Sequence, residues 1–153
     1  MKRILSLVII IVIAVSLISG CADDSVVEIN ERFFLTKSMH IQRNADEYIG
    51  RTVRFEGIFQ SFYLPALGGD FFMINRRTWG CCGDDGTIGF QLNLGDIEPL
   101  PDNAWAEVYG TFEWFIVEWP EDEAEGREPV PILRVTVETL TELNERGEEF
   151  VSQ

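Results

Sequence analysis

Two thiols and two carboxylates lie within five residues of one another in Cys81-Cys82-Gly83-Asp84-Asp85. Trp79-Gly80 stands before them, Gly86 after them, and Arg76-Arg77 a few residues upstream. Thiolate and carboxylate are both zinc ligands, and a zinc ion usually takes four. Glycines on either side let the backbone twist so that adjacent cysteines could face one ion. Apart from Cys21 there is no other cysteine, no CxxC spacing exists, and the sole histidine, His40, is distant in the chain. Adjacent cysteines cannot close a long loop, and a bridge between them would be a small strained ring. The residues therefore leave two readings open: a thiol-based metal or redox site, or one sulfur packed in the core and the other in a turn. Nearby carboxylates would raise a thiol pKa and arginines folded back beside it would lower it.

The third cysteine has a different chemistry. Lys2 and Arg3 precede an apolar run over residues 4–18, and Ser19-Gly20 stand directly before Cys21. A basic start, an apolar stretch and small residues at a cleavage point describe a secretory signal rather than part of a fold. The run is shorter than the roughly 20 residues a bilayer span needs. Ile18-Ser19-Gly20-Cys21 resembles the bacterial lipobox, which implies removal of residues 1–20 and acyl chains, palmitate among them, on Cys21. Two or more chains anchor a protein stably. The expected location is the cell membrane or outer membrane, with the domain on the extracytoplasmic side.

Charge narrows the partners. The chain carries 12 basic and 26 acidic residues, net −14. Losing Lys2 and Arg3 with the leader leaves 10 and 26, net −16. Such a surface repels phosphate backbones, so nucleic acid is excluded as a partner and membrane contact falls to the lipid. No Ser/His/Asp order, phosphate-cradling glycine loop or HExxH is present, and a cysteine nucleophile would have only His40 for a base. The sequence reads as a non-enzyme. The acidic run over residues 118–128 lacks the ligand spacing of a calcium loop and reads as solvated.

The elements that must position these residues are mostly strands. Residues 21–28 form a lipidated tether, about 20 Å over residues 22–27 at 3.3 Å per residue. Residues 36–48 suggest a short helix capped by Thr36 and ended by Gly50. Alternation then marks strands over 51–63, 71–78, 87–94, 104–118 and 132–140, with Gly57 suggesting a bulge. The tail from Thr141, read as a polar tail over 144–153, is expected to fray. Five strands with glycines at bends predict a mainly β fold, a small OB-like barrel over residues 29–143 with a short N-terminal helix. Val53, Phe55, Ile88, Phe90, Val108, Leu133 and Val135 are its expected core. The four tryptophans and eleven phenylalanines read as filling for such a barrel.

Residues 48–57 (YIGRTVRFEG), then Arg76/Arg77 ahead of Cys81-Cys82 and Asp85, then residues 105–110 (WAEVYG), then Pro131-Ile132, are in the order of a known family. Together they resemble the soluble C-terminal domain of the YcgQ-like family of permease-subunit membrane proteins, over roughly residues 29–143. The resemblance implies an OB-like domain with an Arg…Cys-Cys-x-x-Asp signature, a permease-like partner and an association with zinc homeostasis. Cys81, Cys82 and Asp85 carry over by position; the candidate binding site is Arg76, Arg77, Cys81, Cys82 and Asp85, with Cys81, Cys82 and Asp85 the candidate metal ligands. The chain departs from the family in carrying a lipobox where the family has membrane helices. It also has Asp84 and Gly86 around Asp85 and no proline before the next strand. Two functions remain compatible: a non-catalytic binding or accessory module of a transport or metal-homeostasis system, and a thiol-based metal-handling or redox protein using Cys81-Cys82.

Overall fold

A computed structural model describes residues 25–64, 69–80, 83–117 and 128–152, with backbone alone for residues 83–85. The leader, Cys21, Cys81 and Cys82 lie outside the described residues, as does most of the acidic run. Among the described residues, seven strands and one α-helix follow in chain order. Strand β1 is Val27–Ile29, helix α1 Phe34–Arg43, β2 Thr52–Leu64, β3 Gly69–Gly80, β4 Gly83–Asn93, β5 Trp105–Val117, β6 Val130–Glu142 and β7 Phe150–Val151. Single 3-10 turns, Glu31–Phe33 and Ala45–Glu47, flank α1.

The five long strands close on themselves. β2 pairs antiparallel with β3 and with β5, β3 with β4, and β5 with β6, while β4 and β6 join in parallel. The circuit β2-β3-β4-β6-β5-β2 is a five-stranded Greek-key barrel of the OB type. Closure removes most exposed sheet edges, which would otherwise invite aggregation. β1 and β7 add short parallel pairings to β2 and β3.

Alternation in the strands decides what fills the barrel. Val53, Phe55 and Phe59 of β2 point inward with Ile74, Phe90, Leu92, Val108, Phe112 and Val135, all nearly inaccessible. Phe90 stands edge-on to Phe55 at 5.4 Å and to Phe112 at 5.2 Å between ring centres. Fully burying one such ring stabilises by about 1.5–3 kcal/mol. Ile88 and Leu133, expected in the core, are only partly buried against it. On α1, Phe34, Ser38 and Ile41 face the barrel at i, i+4 and i+7.

Several local expectations need correction. Helix α1 starts at Phe34, so Thr36 lies inside it and caps nothing; the preceding 3-10 turn delivers the chain to the helix instead. β1 takes in Val27 and Glu28 from the stretch assigned to the tether. Gly57 makes no bulge, since β2 pairs with β5 continuously from Thr52 to Ile58. It permits close approach: a Cβ there would meet Asn75 O and Ile74 Cγ2 at 2.8 Å. The bulge between β5 and β6 falls at Tyr109/Gly110, as a barrel corner needs. The tail is not frayed. Val151 is buried, β7 pairs with Arg77 and Thr78, and Leu143 N–H donates to Trp105 O at 2.8 Å.

Candidate functional site

Strand β3 separates its two arginines. Adjacent residues of a strand face opposite sides, so Arg76 turns inward with Ile74 while Arg77 turns out. Arg76 is 1% exposed. Its Nε donates to Glu56 O at 3.0 Å, and its Nη1 to Glu148 O at 3.1 Å and Glu31 Oε1 at 3.4 Å. Its guanidinium carbon lies 4.7 Å from the Phe34 ring centre and 4.8 Å from that of Trp105. Burial lowers the Arg76 pKa, partly countered by Glu31 and Glu56. A planar cation sandwiched between rings and fixed by carbonyls ties together β2, β3, the first 3-10 turn and the C-terminal segment. Arg76 is thus a structural knot rather than a lining residue of the cysteine loop.

Arg77 is exposed, with its guanidinium 5.8 Å from the Phe150 ring centre. Trp79, 67% exposed, stacks on the same ring at 5.1 Å. β3 and β4 pair out to Gly80 with Gly83, with a register shift between Thr78 and Gly80. The chain between those paired glycines is Cys81-Cys82. Asp85 belongs to β4, its side chain outside the description. Of the five residues expected to share a site, Arg76 and Arg77 are therefore placed on opposite faces, and the other three contribute no described side chain. Among the described residues no group of three or more His, Cys, Asp or Glu side chains comes together to hold a metal. His40 is exposed on α1, its Nδ1 3.3 Å from Asn44 Nδ2 and its ring edge-on to Tyr48. No helix among the described residues is long and apolar enough to cross a membrane.

Two concavities went unread in the sequence. One, about 350 Å³, lies between β1 and the C-terminal segment and is lined by Glu28, Glu31, Arg54, Glu56, Arg76 and Glu107. Three of its four carboxylates are engaged: Glu107 with Arg54 at 2.8 Å, Glu56 with Trp105 Nε1 at 3.3 Å, and Glu31 with Arg76. The other, about 380 Å³, opens on the outer face between β4 and β6, with Phe71, Met73 and Gln91 among its lining. Gln91 is 8% exposed and its Oε1 has no hydrogen-bond partner among the described residues. An outward glutamine on a strand looks like solvated surface in sequence, so nothing there signalled it.

A five-stranded Greek-key barrel defines an OB-like class of domain. Residues 16–151 match the family model of the DUF1980 C-terminal domain, and the chain belongs to that family. No curated protein matches it.

Proposed function

We propose that the chain is a lipid-anchored, non-catalytic binding or accessory module. Cys21 carries the acyl chains, the barrel stands on the extracytoplasmic side of the membrane, and a permease-like membrane protein of a transport or metal-homeostasis system is its partner. Cys81 and Cys82, with Asp85 and Arg77 nearby in sequence, are its working groups. The observation that carries this reading is the β3–β4 hairpin. Its ladder runs out to Gly80 and Gly83, and Trp79 and Arg77 share the Phe150 ring beside it. An exported protein seldom keeps thiols outside loop-closing bridges, and an exposed indole beside them is typical of a contact surface.

The experiment uses the detergent-extracted full-length lipoprotein. Cys21→Ser is expected to abolish fatty-acid labelling and release the protein from membranes; label retained would defeat the anchor. Cys81→Ser with Cys82→Ser is expected to lose the co-purifying membrane partner while the melting temperature stays unchanged. Undiminished capture would remove the hairpin from the interface. Stoichiometric zinc held by the parent and lost from both serine variants would turn the reading toward metal handling.

A further inference from the structure

The barrel is closed on four sides by long ladders and on the fifth by a short one. β4 and β6 pair only through Gln91, Leu92 and Asn93 with Arg134, Val135 and Thr136 among the described residues. Because the two strands run in parallel, their preceding residues separate together. The far edge of β6 stays paired with β5 down to Val130, and that of β4 with β3. Facing edges of β4 and β6 therefore border an open seam ahead of Gln91 and Arg134. The seam holds the cavity of about 380 Å³, into which Gly89 and Gln91 of β4 and Pro131, Ile132 and Leu133 of β6 project.

Three features of the seam ask for a ligand with a backbone's chemistry. At Gly89 the ladder's place is taken by a side chain, since Gln42 Nε2 of α1 donates to Gly89 O at 2.9 Å. Beside it, Gln91 Oε1 is buried with no donor, and an unmet buried acceptor costs roughly 1–3 kcal/mol. The walls are apolar and half-buried: Phe71 and Met73 from β3 and Ile132 from β6, with Trp114 at the rim 40% exposed. A strand edge whose N–H and C=O groups are interrupted only at Pro131, with apolar walls for alternate side chains, matches an added strand.

We propose that this seam binds one extended, apolar segment of a partner polypeptide beside β6, which donates a hydrogen bond to Gln91 Oε1. The net charge of −16 that the mature chain would carry favours a segment flanked by basic residues. The inference rests on the binding-module reading but not on Cys81-Cys82, so each can fail alone.

The test takes the full lipoprotein in detergent micelles. The probes are a short synthetic peptide of alternating valine and threonine with lysines at both ends, and chitotetraose. The peptide is expected to slow amide exchange at Val130, Ile132 and Leu133, the residues of this stretch that carry an N–H beside Pro131. Gln91→Leu should weaken peptide binding about tenfold, the worth of one lost hydrogen bond, and the paired cysteine-to-serine variant should bind as the parent does. Should Gln91→Leu fail to fold, Met73→Asp on the half-buried wall is expected to weaken binding at least as much. Absence of protection at millimolar peptide, equal binding by these variants, or protection given by chitotetraose instead would overturn the proposal.

Discussion

Arg76 and Gln91 are both polar, both buried and both on barrel strands, yet their surroundings are opposite. Arg76 brings a full charge into the interior, and two backbone carbonyls, a carboxylate and two aromatic faces meet it. Gln91 brings only an amide, and its oxygen is left unmet. A buried polar group whose partners all come from its own chain is holding the fold. One lacking a partner costs stability that the fold alone does not return. The contrast sets a fully partnered polar group at the β1, β3 and C-terminal junction against an unpartnered one at the β4–β6 seam, the end proposed to be receptive.

The harshest way to break the comparison is Arg76→Met. Methionine fills comparable space but leaves Glu56 O and Glu148 O without their donor and Glu31 without its counter-ion. Removing one partner from a buried charged network costs about 3–5 kcal/mol, so the urea midpoint should fall steeply. β7 should loosen with it, read as faster exchange at Phe150 and Val151. A loss below about 1 kcal/mol would show the knot to be unimportant.

Gln91→Leu sharpens the other half, with a smaller effect of opposite sign. Replacing an unmet amide by an apolar group of similar size should leave stability unchanged or raise it by up to about 1 kcal/mol. A loss of more than that in thermal unfolding would mean that Gln91 has a structural partner, and the contrast with Arg76 would collapse.

What could be read in advance follows from the range of each interaction. Strand alternation in Val53-Arg54-Phe55 is a local pattern imposed by burial of one face, so the strands, the barrel and most of its core were legible. Gly57 was legible as special but not for the right reason, because the atom it makes room for, Asn75 O, comes from another strand. The tail gave little signal, since its anchor is two residues, Phe150 and Val151, held by backbone pairing to β3 and by the stack of Phe150 on Trp79. Arg76 and Arg77 read as a pair because a sequence shows adjacency and hides the pleat. The seam beside Gln91 depends on where two strands forty residues apart diverge, which no local pattern encodes. Cys81 and Cys82 stood out by composition and adjacency alone.

The smallest effect belongs to the ion pair bordering the receptive end. Arg134 Nε donates to Glu113 Oε1 at 2.6 Å and Asn93 Nδ2 to the same oxygen at 3.3 Å, while the Arg134 guanidinium lies 4.3 Å from the Phe115 ring centre. Burial alone would raise the Glu113 pKa, but hydrogen bonds from Arg134 and Asn93 and the guanidinium charge outweigh it, and the net shift is downward. A carboxyl that is more acidic folded than unfolded stabilises the fold at pH values above its unfolded pKa, about 4.3. That contribution fades as pH falls through the lower folded value. The side chain is 37% exposed, so solvent screening keeps the effect within the few tenths to about 1 kcal/mol of surface pairs. Glu113→Gln should therefore lower the melting temperature slightly at neutral pH and flatten the fall of stability below pH 4.3 relative to the parent. Parallel curves for parent and variant across the acid range would mean that Arg134 is held by Phe115 and not by the carboxylate, leaving its charge available to whatever occupies the seam.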